Sequence, residues 1–87
     1  MTSAVQPEAV VFGQRLRELR QKRGHTLQSL ADLTGMSFPF ISEMERGLKV
    51  PSLTTLIRLA VALECKVPDL VSIFNKHDLA KLVPPRK

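Results

Sequence analysis

The sequence predicts an all-α domain, and three observations carry that prediction. Apolar residues recur at the three- and four-residue spacing of an amphipathic helix in successive segments. The sustained alternation of apolar and polar residues that marks a strand is absent, and Tyr and Trp, which strands favour, do not occur. At 87 residues the chain has the size of one domain, with a modest core and little room for a deep catalytic pocket.

The first helix is predicted over residues 9–23, where Phe12, Leu16 and Leu19 share one face and Gly24 follows as the stop. Its opposite face is basic, which fits either a solvated surface or contacts with phosphates. The basic residues of that face are Arg15, Arg17 and Lys22.

A second helix is predicted over residues 26–34, with Thr26 as its N-cap and Gly35 as its stop. A short connection leads to Ser37, the predicted N-cap of a third helix over 38–46. The proline in its first turn fits there because the N–H that proline lacks would have no acceptor within the helix. Two short helices joined by a tight, glycine-containing turn form the outline of a helix-turn-helix. The residues expected to face inward are Leu27, Leu30, Ala31, Ile41 and Met44.

A fourth helix is predicted to begin after Ser52, and a fifth near Val67. The fourth is the most apolar segment and the expected centre of the core. Its residues expected to face inward are Leu53, Leu56, Ile57, Ala60 and Leu63, and those of the fifth helix are among Leu70, Val71 and Phe74. We expect residues 1–8 to be a flexible arm, 9–75 the folded domain, and 76–87 a mobile tail.

Lys and Arg outnumber Asp and Glu by 13 to 8, which gives a net charge of +5 and a pI near 10.0. A basic surplus favours an anionic partner such as nucleic acid, although ribosome-associated and membrane-surface proteins share it. No apolar run approaches the ~18 residues of a membrane span, and the N-terminus lacks a secretory signal. We therefore expect a cytoplasmic protein, associated with the nucleoid and without a membrane contact.

Cysteine and histidine usage argues against catalysis and metal binding. Cys65 is the one cysteine and lies in an apolar stretch, which favours a structural thiol over a reactive one. His25 and His77 lie far apart along the chain, so we expect no metal site. Because Ser-His-acid arrangements and Gly-rich phosphate loops are also missing, we expect no enzymatic activity and no cofactor.

The run GHTLQSLADLTGMSFPFISEMERGLKVPSLTTLIRLAVAL, residues 24–63, closely resembles the XRE or λ-repressor-like helix-turn-helix regulators of bacteria and phages. With LRELRQKR before it and VPDLVSIF after it, the resemblance covers about residues 12–74. The capped helix, glycine turn, ISEMERG and PSLTTL stand in the family's order and spacing. The resemblance implies a compact five-helix, λ-repressor-like DNA-binding domain whose third helix enters the major groove.

By position in the family motif, the N-terminal part of helix three would face the base edges. Phe38 and Pro39 cannot form bidentate hydrogen bonds with bases, but they can pack against thymine methyl groups. Ser42 can bond several base edges, and Glu43 can accept a hydrogen bond from cytosine N4. The resemblance thus predicts half-sites that include thymines and are read mainly by shape and apolar contact. The base-reading residues it implies are Ser37, Phe38, Pro39, Ser42 and Glu43.

Two phenylalanines, Phe38 and Phe40, each have more than one possible role. Phe38 fits a DNA contact, core packing or a protein-binding patch. Phe40, where the family often has tyrosine, fits packing against helix two or a contact with the DNA backbone.

The resemblance assigns Arg20 and Glu45 to a structural ion pair between helices one and three. Helix three carries little positive charge, so we expect the contacts with the DNA backbone on its flanks. The candidate residues are Arg23, Thr26, Leu27, Gln28, Phe40, Arg46, Lys49 and Ser52.

The function that the resemblance implies is a sequence-specific transcriptional regulator. We expect a repressor that binds a palindromic operator as a homodimer, so its partners are double-stranded DNA and a second copy. The alternative is an antitoxin-like or other protein-interaction module on the same fold.

Two departures from the family are His25, where an apolar residue is usual, and Glu64, where glycine often ends helix four. The dimer contact is expected from apolar residues of helix five and the tail, namely Leu70, Val71, Phe74, Leu79 and Leu82.

Overall fold

The computed structural model describes residues 6–74, which form five helices and no strand. The predicted all-α class and five-helix architecture are confirmed. Among these residues, no helix combines the length and the apolar character needed to cross a membrane. The helices are α1 (Pro7–Lys22), α2 (Leu27–Thr34), α3 (Phe38–Glu45), α4 (Leu53–Ala62) and α5 (Val67–Val71).

Three predicted N-caps are confirmed. Thr26, Ser37 and Ser52 each accept, through the side-chain oxygen, a hydrogen bond from the amide three residues later, at 3.0, 3.2 and 3.1 Å. Each bond satisfies an amide that has no acceptor within its helix, which fixes the residue where α2, α3 and α4 begin.

Helix α1 begins earlier than predicted, at Pro7 rather than at residue 9. The predicted start of the first helix is therefore wrong by two residues. The reason is that proline, with its φ already in the helical range, is favoured at the first position of a helix.

Four helices end with a residue in the left-handed conformation. Gly24, Gly35 and Gly47 have φ values of 78°, 72° and 78°, and Glu64 has a φ of 55°. In each case the next amide donates to the carbonyl five residues earlier, at 2.9 to 3.1 Å, which satisfies a carbonyl at the helix end. Glu64 thus adopts a conformation that favours glycine, at the position where the family often has one.

All five helices contribute to one core. Helix α3 packs against α1 and α2, α4 packs against α2 and α5, and α1 also packs against α5. The interior leucines, isoleucine and methionine of this core are shielded from solvent. The largest fully buried side chains are Leu16, Leu30, Ile41, Met44, Leu59, Leu63 and Leu70.

The predicted orientation of α4 is partly wrong. Leu53 and Ile57, expected to face inward, are 69% and 49% exposed, and Val61 is 74% exposed. Helix α4 carries two apolar stripes, and the one containing Leu59 and Leu63 packs into the core. Periodicity could not separate the two because both repeat at helical spacing.

Helices α1 and α3 approach each other closely at Gly13. A Cβ atom built on Gly13 would lie 2.6 Å from the carbonyl oxygen of Glu45 and closer still to that of Met44. Real Cβ atoms essentially never come this near backbone atoms. The absence of a side chain at Gly13 therefore sets how tightly α3 is held against α1.

Candidate nucleic-acid interface

The turn between α2 and α3 is held by hydrogen bonds as well as by its glycine. The Thr34 hydroxyl, which is buried, lies 2.8 Å from the carbonyl of Leu30 and 3.1 Å from that of Ala31. The Met36 amide lies 3.3 Å from the Thr34 hydroxyl and donates to the Ala31 carbonyl at 3.1 Å. These bonds fix the direction in which the chain enters α3.

The first turn of α3 faces solvent. Ser37, Phe38 and Pro39 are exposed, and Phe38 retains 42% of its surface. Because Phe38 lies outside the core, the core-packing interpretation of this residue is wrong. Phe40 instead is half-buried and packs against the core, which agrees with its packing interpretation.

The other base-reading candidates lie one turn further along α3. Ser42 and Glu43 are half-buried, on the helix that sends Ile41 and Met44 into the core. The candidate residues are thus exposed in the first turn of α3 and more enclosed in its second turn.

The expected partners Arg20 and Glu45 are in direct contact. Arg20 Nε donates to Glu45 Oε2 at 2.5 Å, and Nη2 donates to Oε1 at 3.0 Å, so the pairing is bidentate. The remaining guanidinium nitrogen, Nη1, donates to the His25 carbonyl at 2.8 Å. Only 11% of the Arg20 side chain and 7% of the Glu45 side chain are exposed. One arginine therefore joins α1, the α1–α2 turn and the end of α3.

The start of α2 offers polar groups beside α3. The Thr26 and Ser29 side chains cap each other's amides at 3.0 Å. The Gln28 side chain donates to Asp32 at 2.9 Å, so it is aligned along the helix surface. The amides of Leu27 and Gln28 lie in the first turn, where a helix provides no internal acceptor and favours an anion.

The other backbone-contact candidates follow α3 along the chain. Arg46 ends the helix, and Lys49 and Ser52 lie in the connection to α4; all three are exposed. Ser52 also caps α4, which places its hydroxyl at the beginning of that helix.

Arg23 differs from the other backbone-contact candidates. Its Nη2 donates to the Glu64 carbonyl at 2.9 Å, and with Arg15 it lines a cavity of about 200 Å³ between α1 and α5. Cys65 lines the same cavity. Burial raises the pKa of the Cys65 thiol, the Asp69 carboxylate adds to that rise, and the two arginines oppose it. A raised pKa keeps the thiol protonated near neutral pH, as expected of a structural cysteine.

The residues expected to form a dimer contact differ in how much of their surface is exposed. Leu70 is fully buried in its own core, so the prediction is wrong for that residue because it has no surface to offer a partner. Val71 and Phe74 are half-buried and line an apolar cavity of about 140 Å³. Leu79 and Leu82, like His77, lie outside the described residues.

Among residues 6–74, no three His, Cys, Asp or Glu side chains are grouped as metal ligands.

Sequence reasoning missed two features that position this surface. Gly13 lies inside a helical segment, and only its close approach to α3 distinguishes it from other helix-interior residues. Thr34 ends α2, and a threonine side chain in a helix can bond back to the carbonyls three and four residues earlier.

The family comparison matches residues 16–70 to the helix-turn-helix family model, which covers more than half of the chain. The transcriptional regulator DdrOP3 of Deinococcus deserti is 47% identical over 58 residues, covering 67% of this chain and 45% of the regulator. The regulator SinR of Bacillus subtilis is 30% identical over 69 residues, covering 78% of this chain and 60% of SinR. The chain thus spans about half the length of these two regulators.

Solved structures show the same fold. The restriction-modification controller protein C.AhdI of Aeromonas hydrophila superposes with a TM-score of 0.71 at 40% identity, covering 72% of this chain and 96% of C.AhdI. The clp gene regulator ClgR of C. glutamicum gives a TM-score of 0.71 at 28% identity, covering 88% of this chain and 95% of ClgR.

Proposed function

The chain belongs to the XRE family of helix-turn-helix transcriptional regulators, and we propose that it is a repressor that inserts α3 into the major groove of a palindromic operator. It acts as a homodimer on nucleoid DNA in the cytoplasm. The observation that carries this proposal is the contrast between the two sides of α3. Its first turn is exposed, while Ile41 and Met44 on its inner side are fully buried.

A helix anchored in this way suits groove reading. The Arg20–Glu45 pair and the close approach at Gly13 hold α3 from behind, so its outer side chains keep one orientation when DNA arrives. Preorganisation of this kind reduces the entropy lost on binding. The side chains offered to the bases are those of Ser37, Phe38, Pro39, Ser42 and Glu43.

The chemistry of these side chains specifies the expected target. Phe38 and Pro39 present carbon surface to thymine methyl groups, and the Ser42 hydroxyl can bond several base edges. The Glu43 carboxylate can accept from cytosine N4, and it disfavours bases that present only acceptors. The operator half-sites should therefore contain thymines near the first turn of α3.

Attraction to DNA comes from the flanks of α3. Glu45 is neutralised by Arg20, which leaves Glu43 as the acidic side chain of the groove-facing surface. The Leu27 and Gln28 amides at the start of α2, and Arg46 and Lys49 at and after the end of α3, meet phosphates. Each phosphate contact by a cationic side chain adds about one unit to the salt dependence of the binding constant.

Fluorescence-anisotropy titration tests this function. The probes are the DNA upstream of the protein's own gene and a scrambled duplex of equal length, each over a salt series. We expect preferential binding to the upstream DNA, and we expect Phe38→Ala to reduce that preference by roughly tenfold. Leu33→Ala is the matched control because Leu33 is also an exposed apolar residue, at 58%, but lies outside the proposed contact.

The outcomes separate the proposal from its alternative. Equal and steeply salt-dependent binding to both duplexes would call for selection from a random library to find the operator. No binding to either duplex at low salt would contradict the proposed function, and it would favour the antitoxin-like or other protein-interaction module.

A further inference from the structure

The cavity between α1 and α5 is lined by more positive than negative side chains. Its volume is about 200 Å³, and cationic residues outnumber the one carboxylate in its lining. A cleft lined mainly by one sign of charge focuses the electric field, so this one attracts anions. The residues that line this basic cavity are Arg15, Leu19, Lys22, Arg23, Cys65 and Asp69.

The two arginines of the basic cavity are held in place by backbone carbonyls. Arg15 Nε donates to the Asp69 carbonyl at 2.9 Å, and Arg23 Nη2 donates to the Glu64 carbonyl at 2.9 Å. A guanidinium has five N–H groups, so each arginine keeps donors for a ligand. Side chains that are already fixed lose less conformational entropy when a ligand binds.

Nearby carboxylates offset only part of the positive charge. Asp69 Oδ2 accepts a hydrogen bond from the Lys66 amide at 2.8 Å, so that carboxylate is engaged at the start of α5. Arg15 Nη1 lies 3.6 Å from Glu18 Oε1, but the Glu18 side chain is 68% exposed, and exposed pairs contribute little. Lys22 forms no salt bridge among residues 6–74. The basic cavity therefore keeps a net positive charge.

We propose that the basic cavity binds a small phosphate monoester. The rigid fork of a guanidinium can pair with two phosphate oxygens at once. A monoester carries close to two negative charges near neutral pH, which suits several cations around one site. The remaining walls, Leu19 and the uncharged Cys65 thiol, can contact the carbon part of the ester. The volume is below the ~300 Å³ of the smallest pockets for drug-sized ligands, so the ester has only a few carbon atoms.

A ligand in the basic cavity would connect three parts of the fold. Arg15 and Lys22 lie on α1, Cys65 lies in the turn after α4, and Asp69 lies on α5. The unfolded chain does not bring these residues together, so binding should stabilise the folded state. This proposal does not depend on the binding of DNA.

Amide NMR titration of the full chain with glycerol 3-phosphate tests the proposal, with sodium chloride matching the ionic strength of the reference. We expect saturable shifts at residues 15–23 and 64–69, with a dissociation constant on the order of 1 mM for so small a ligand. Arg15→Met should weaken binding by roughly tenfold because it removes a fixed cation. Arg17→Met is the matched control, since it removes the same charge from an exposed position of α1 outside the cavity, and it should bind like the wild type.

A second variant keeps the test valid if Arg15→Met fails to fold. Lys22 is exposed and forms no salt bridge among residues 6–74, so Lys22→Met should leave the structure intact. It should weaken ester binding by roughly threefold or more. Succinate should bind roughly tenfold more weakly than the ester, because its two charges lie at opposite ends of the molecule. Circular dichroism of each variant checks the fold.

Protection of Cys65 supplies a second readout. Cys65 is the single cysteine of the chain, so alkylation by N-ethylmaleimide, an uncharged reagent, reports on this cavity alone. With the ester at about ten times its dissociation constant, alkylation of the wild type should slow by roughly tenfold, since the bound ester covers the thiol. Sodium chloride at equal ionic strength should leave the rate unchanged, and Arg15→Met should show much less protection.

The outcomes decide what occupies the basic cavity. Shifts that grow linearly and are equal in Arg15→Met and Arg17→Met would mean charge screening only, and would overturn the site. Succinate that binds as tightly as the ester would overturn the assignment to phosphate. If the upstream duplex displaced the ester and Arg15→Met weakened both ligands alike, the occupant would be a DNA phosphate and the small-molecule assignment would be wrong.

The two proposals fail separately. A chain that binds the ester but neither duplex overturns the proposed function and leaves this site standing. A chain that prefers the upstream DNA but shows no saturable ester binding overturns the site and leaves the function standing.

Discussion

Helices α3 and α4 both expose apolar side chains, but in different settings. On α3, Phe38 and Pro39 lie beside polar residues in the first turn. The last residue of that helix, Glu45, is held to α1 by a mostly buried ion pair. On α4, a stripe of three aliphatic residues runs along a helix with a single charge. Exposed carbon surface on a rigid, polar-flanked turn suits groove reading, whereas a charge-poor apolar stripe suits packing against protein.

The largest expected effect tests how firmly α3 is held. Arg20→Met leaves the Glu45 carboxylate mostly buried without its partner, which should lower the free energy of unfolding by about 3 to 5 kcal/mol. Denaturant unfolding measures the change. Arg17→Met, at an exposed position of the same helix, is the control and should change stability by less than about 0.5 kcal/mol.

A double variant sharpens that result. Arg20→Met combined with Glu45→Met removes both charges, so it should be more stable than Arg20→Met alone. A loss below about 1 kcal/mol for Arg20→Met would mean that the pair contributes no more than an exposed salt bridge, and that α3 is held by apolar packing.

The next effect concerns the close approach of α1 and α3. Gly13→Ala pushes a methyl group against the carbonyl oxygens at the end of α3, which should lower the free energy of unfolding by about 1 to 3 kcal/mol. Gln14→Ala, the exposed neighbour, should leave stability unchanged or raise it slightly. Equal stability of the two variants in thermal unfolding would show that α3 can shift away from α1 without cost.

A smaller effect, of opposite sign, is expected at the end of α4. Glu64 has a positive φ, which costs a residue with a side chain about 1 kcal/mol relative to glycine. Glu64→Gly should therefore raise the free energy of unfolding by about that amount. The control is Gln14→Gly, where the same kind of replacement inside α1 should lower it by about 1 kcal/mol. A loss of stability in Glu64→Gly would show that the glutamate side chain contributes more than its backbone strain costs.

The smallest effect is expected on the outer face of α4. Val61→Thr should change the stability of the monomer by less than about 0.5 kcal/mol when unfolding is measured at a concentration too low for pairing. Leu59→Ala, two residues earlier on the buried face, should cost about 2 to 5 kcal/mol. If both variants lost similar stability, the outer face would contribute to folding and the contrast with the core would disappear.

Much of the fold could be predicted because local signals fix it. The caps at Thr26, Ser37 and Ser52 are short-range, as are the glycine stops at Gly35 and Gly47, so they can be read without knowing the packing. The orientation of α4 depends on which of two equivalent stripes meets the other helices, and no local signal encodes that choice. The close approach at Gly13 likewise depends on tertiary structure.

Less of the candidate site could be predicted from residues alone. Resemblance to the family indicated the Arg20–Glu45 pair, since two charges 25 positions apart carry no local signal. The lack of positive charge on α3 makes Arg23 a candidate for a phosphate contact, yet its side chain donates to the carbonyl of Glu64, just after α4. Long arginine side chains can reach several neighbouring elements, so their partners follow from packing and not from position.

The most direct test of the contrast between α3 and α4 is an amide NMR titration of the protein with the upstream duplex. We predict that the largest shifts fall at residues 26–29 and 37–43, with little change at 53–61. Shifts concentrated on α4, with the first turn of α3 unaffected, would contradict the assignment of α3 to DNA.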